Sequence, residues 1–91
     1  MIVTVEEMKN YLRVDHTDDD SLIEHMLESA QQMAMDVART DSEEAFSETK
    51  NARIAVMYAA AYLYEHREEA DHGELALTLR ALLFGIREAA F

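Results

Sequence analysis

Proline is absent from this chain, and glycine occurs twice in 91 residues, at Gly73 and Gly85. Ordinary usage gives roughly four or five Pro and six Gly in this length. The residues that most often break helices and shape tight turns are nearly missing. No segment sustains a period of two, so the chain is predicted to be all-α. The clearest element lies at 22–38. Ile23, Met26, Ala30, Met33 and Val37 step by 3, 4, 3, 4, as in the seam of an antiparallel helix pair. Glu24, Glu28, Gln31, Gln32 and Asp36 are expected to point away from that seam.

Three further helices follow from the same reasoning. Thr4-Val5-Glu6-Glu7 fits a capping box, and the short helix it opens puts Val5, Met8 and Leu12 on one face. Residues 14–17 read as a connector, with Asp15 or Thr17 capping the second helix and Asp18, Asp19 and Asp20 in its first turn. Residues 40–49 read as a polar loop with about one helical turn, anchored by Phe46. The third helix is predicted over about 50–68. Its stretch 54–64 is apolar all round and so expected to be buried on most sides. The break before the fourth helix is placed at Ala70-Asp71-His72-Gly73, with Gly73 as the turn residue. That helix starts near Glu74 and carries a stripe of Leu75, Leu79, Leu82, Leu83 and Ile86, with Phe84 off it. The expected architecture is one domain over 1–91, a compact bundle of about four helices.

Charge narrows the function. The net charge is −11, but residues 15–48 alone hold eleven acids against Arg39, a local −10. Residues 49–64 carry only Lys50 and Arg53 and no acid. This segregation suits head-to-tail contact between copies, acidic patch against basic patch. The acidic balance argues against binding of a phosphate backbone, which needs a Lys/Arg surface. The longest apolar run, at 54–64, is eleven residues, against the ~20 that span a bilayer. The first residues lack the basic start and apolar run of a signal peptide. A soluble protein made in the cytoplasm is expected.

Catalytic and metal motifs fail on spacing. A calcium loop beginning at Asp15 would need Gly and Glu where Asp20 and Met26 stand. His66 and His72 match no metal-ligand pair on one helical face, and no cysteine is present. The serines lack a glycine elbow, and two glycines cannot build a phosphate loop. No catalytic residue, metal or cofactor is predicted.

The string Val3-Thr4-Val5-Glu6-Glu7-Met8-Lys9-Asn10-Tyr11-Leu12-Arg13-Val14-Asp15-His16-Thr17-Asp18-Asp19-Asp20 resembles the opening of the small head–tail connector (adaptor) proteins of tailed bacteriophages and prophages. A short helix ending in Leu-Arg-Val-Asp, a His/Asp-rich turn and a long amphipathic helix is the shared pattern. Ala61-Tyr62-Leu63-Tyr64-Glu65-His66-Arg67-Glu68 is similar to the family's third helix, and residues 79–87 to its C-terminal helix. Family members often carry Pro before the third and fourth helices. Here Leu77 and Thr78 stand where one is common, which predicts an earlier start for the fourth helix.

The resemblance implies a structural virion protein at the head–tail junction. It implies a homo-oligomeric ring between the portal and the stopper or tail-completion protein, with DNA passing through unbound. The expected subunit or portal contacts are Lys50 and Arg53, with Leu79, Leu82, Leu83, Phe84, Arg87 and Phe91. The carboxylates of Asp15, Asp18, Asp19, Asp20, Glu24 and Glu28 are expected to line the lumen or the outer wall. The competing reading is a small acidic protein that binds or inhibits a basic partner as a DNA mimic. A helix-turn-helix DNA binder needs a basic recognition helix, which the chain lacks.

Overall fold

The computed structural model describes residues 1–66 and 72–84. Among these there are five helices and no strand: α1 (Val5–Leu12), α2 (Asp20–Ala38), α3 (Glu43–Ser47), α4 (Ala52–Glu65) and α5 (His72–Phe84). The helix beyond the expected four is α3, the single turn foreseen within 40–49. Its cap is Ser42, whose hydroxyl accepts from the Ala45 N–H at 3.2 Å. Phe46 is its one buried residue and is fully enclosed.

The capping box at α1 forms as its sequence predicts. The Thr4 hydroxyl accepts from the Glu7 N–H at 3.1 Å, and the Glu7 carboxylate accepts from the Thr4 N–H at 3.0 Å. Glycine takes no part in ending α1 or α2. Both close on an arginine in the left-handed region, Arg13 at φ 62° and Arg39 at φ 60°. Val14 N–H reaches the Lys9 carbonyl at 2.9 Å, and Thr40 N–H that of Met35 at 3.0 Å. These are Schellman closures, made at residues that carry a Cβ penalty of roughly 1–2 kcal/mol in this conformation.

α2 lies most extensively against α4, and α5 covers both. The buried line of α2 is Ile23, Leu27, Ala30 and Ala34, with Met35 beside it. The seam is therefore turned by one position from the 3,4 spacing first read, and Met26, Met33 and Val37 are half-buried on its shoulder. The apolar arc of α2 is wide enough for either centre. The partner chose: α4 buries Ala52, Ala55, Ala59 and Ala60, and small residues let two backbones approach closely.

α4 is covered on most sides over 54–64, as expected, with Ile54 at 57% and Tyr58 at 38% exposure as the exceptions. Two expectations change. Gln31 does not point away from the core but is buried at 7% exposure. Gly73 is no turn residue; it lies in the first turn of α5, which starts at His72. Leu77 and Thr78 are both helical, in keeping with the early start. Ala70 and Asp71 of the expected break, and Gly85 and Ile86, lie outside the described residues.

Candidate functional site

The α1–α2 turn uses part of its acidity internally. α2 begins at Asp20 with Asp19 as its cap residue, so neither Asp15 nor Thr17 caps it. Asp19 makes no side-chain cap bond either. Its carboxylate instead accepts the Tyr64 hydroxyl at 2.6 Å, which satisfies a half-buried phenol. Asp20 pairs with Lys9 at 2.8 Å. Both contacts tie this turn to a neighbouring helix. Asp15, Asp18, Glu24 and Glu28 are left exposed.

The chain's N-terminal residues are held by side chains from four helices. Ile2 N–H donates to Gln31 Oε1 at 3.1 Å, and the Ile2 carbonyl accepts from Arg53 Nη1 at 2.8 Å. Gln31 Nε2 donates to Glu43 Oε1 at 2.6 Å. Arg53 Nη2 forms an ion pair with Glu7. Between these bonds the Val3 side chain is fully buried. A buried carboxamide is tolerated because both of its ends are bonded.

These contacts move the acids' titration. The Arg53 guanidinium, with the Thr4 N–H, lowers the Glu7 carboxyl from 4.5 to about 2. Gln31, then the Met1 ammonium, holds Glu43 below the usual carboxylate range. A folded pKa below the unfolded one stabilises the fold above the unfolded value, and that contribution disappears as pH falls through the folded one. Wild-type stability should thus fall on acidification from about 4.5 toward 2. Glu7→Gln should flatten that part of a plot of melting temperature against pH. Because the pair is exposed, added salt should shrink the difference. An unchanged slope in Glu7→Gln would show that the ion pair adds nothing.

The expected contact residues divide. Leu79 and Leu83 are buried, at 0% and 8% exposure, and belong to the core together with Leu75. Within the single chain α5 packs on α2 and α4, which covers them. Leu82 is half-buried, and its carbonyl accepts from Asn51 Nδ2 at 3.0 Å, which brings the start of α4 to the C-terminal half of α5. Lys50, beside Asn51, is exposed. Arg53 is exposed too but engaged with Glu7 and Ile2. The side chain of Phe84, and all of Arg87 and Phe91, lie outside the described residues.

One cleft was not anticipated. Tyr11 of α1 meets Tyr58, Ala61, Tyr62 and Glu65 of α4, and His66 just past it, around about 200 Å³. Tyr58 and Tyr62 are neighbours on α4, but Tyr11 is distant in sequence, and only the packing of α1 across α4 adds it to them. Among the described residues no group of three His, Asp or Glu is placed to hold a metal ion. Among the same residues no helix is long and apolar enough to cross a membrane.

Comparison with known proteins gives one assignment. The family model of the phage gp6-like head-tail connector proteins matches residues 2–88. Searches of curated proteins and of solved structures return no match.

Proposed function

Since this chain belongs to the phage gp6-like head–tail connector family, we propose that it is a structural virion protein that forms a ring between the portal and the stopper or tail components. The observation that carries the reading is the family match, which runs over nearly the whole chain. The role is one of assembly, not of catalysis. Copies are made in the host cytoplasm and join at the head–tail junction, where DNA passes through the ring without specific binding.

The electrostatics support this. Exposed carboxylates at Asp15, Asp18, Glu24 and Glu28 form a surface along which phosphates move without adhering. A heterologous contact between different patches closes into a ring when its rotation permits. Lys50 and Leu82 form the proposed contact patch, beside Arg53, whose guanidinium is engaged with Glu7, and with Phe84, Arg87 and Phe91 further along the sequence.

In a phage lacking this chain, packaged heads and free tails should accumulate unjoined. Adding the purified protein to them should restore joined particles, counted by electron microscopy. Joined particles formed in its absence would overturn the reading.

A further inference from the structure

The α1–α4 cleft has the chemistry of a cation acceptor. Its volume of about 200 Å³ is below the ~300–1,000 Å³ of small-molecule sites and suits the end of one side chain. Three tyrosine rings line it, and the negative face of an aromatic ring attracts an ammonium or guanidinium. Glu65 adds an exposed carboxylate at the last residue of α4, where the helix dipole is also negative. His66 stacks on Tyr62 with ring centroids 4.4 Å apart. Its Nδ1 lies 3.0 Å from the Tyr62 carbonyl, and since a carbonyl only accepts, Nδ1 is the donor. That pair holds the wall of the cleft in place. From the cleft an apolar strip runs back along α4 through Tyr58 to Ile54, both exposed.

The matching cation stands at the other end of the same helix. Lys50 is exposed two residues before α4. The 14 residues of α4 separate it from Glu65 by about 20 Å at 1.5 Å per residue. Arg53, the other base of the acid-free segment 49–64, is engaged with Glu7, which leaves Lys50 for a partner. We propose that the cleft takes Lys50 of a second copy, so that the two ends of α4 form the tail and head of one repeating contact. This rests on the connector reading and names the contact that would build its ring.

The chain has only two lysines, Lys9 and Lys50, so carbodiimide coupling of lysine to a touching carboxylate gives a direct test on the unmodified protein. The coupling adds no spacer, so a distance of about 20 Å within one α4 cannot be bridged. Treatment of associating protein, or of assembled particles, should give a ladder of covalent multimers whose peptides join Lys50 to Glu65. Lys50→Arg should keep association and lose the ladder. Lys50→Glu and Glu65→Lys should each weaken self-association at least tenfold by light scattering, and the double exchange should restore it. Absence of the ladder, Lys50 coupled to other carboxylates instead, or a double exchange no better than the single ones would overturn the contact. Those results leave the connector role standing, because that role fails only if heads and tails join without the chain.

Discussion

Phe46→Ala should lower the stability of the folded chain by about 3–5 kcal/mol, the range for removing a large buried aromatic ring. Few single changes here should cost more. Domains of this size have about 5–15 kcal/mol in total, so the variant should be near the edge of folding. At about 4–8 °C per kcal/mol, its melting temperature should drop by more than about 10 °C. The reason is local as well as global. α3 has five residues and one buried side chain, so without the ring nothing apolar holds it to α2 and α4. Glu43, on the same turn, should then release Gln31. Urea denaturation measures the global loss, and amide exchange should show early opening over 40–49. A loss below about 1 kcal/mol would mean that the turn contributes little to the core.

Leu79→Ala should cost about 2–5 kcal/mol, and it should do so in dilute, unassociated protein. Its side chain is fully buried between α5 and the helices beneath. A residue serving mainly in subunit contact would affect assembly and leave the isolated chain's melting unchanged. Lys50→Glu should behave in that second way, with stability within about 0.5 kcal/mol of wild type, as for exposed substitutions away from special features. Measuring both variants by urea denaturation at low concentration separates core from contact. Equal stability of Leu79→Ala and wild type would return Leu79 to the contact surface.

The two leucine assignments show what a periodic stripe can and cannot say. Leu75, Leu79, Leu82 and Leu83 share a face of α5, and that much is visible in their spacing. The same stripe is consistent with burial inside one chain or between two. The neighbours decide, and here α2 and α4 take Leu75, Leu79 and Leu83, while Leu82 lies at the margin. Lys50 and Leu82 are brought near each other by the packing of α5 on α4, which the Asn51 bond to the Leu82 carbonyl secures.

What the sequence determined by itself is local. Thr4 and Glu7 cap α1 because both partners lie within one turn. Phe46 anchors the 40–49 segment because it is the one large apolar residue there. The 3.6-residue period fixes which segments are helical, and the family's opening string runs through α1 into α2. Tertiary structure decided whatever depends on partners distant along the chain. Gln31 reads as a surface residue until Ile2 and Glu43, 29 and 12 positions away, bond its two ends. The seam of α2 could centre on Met33 or on Ala34, and the alanine face of α4 selected the latter. Tyr11 and Tyr58 become one cleft only where α1 crosses α4. Spacing within a segment fixes backbone geometry and one side's polarity, whereas burial is a property of what arrives from elsewhere.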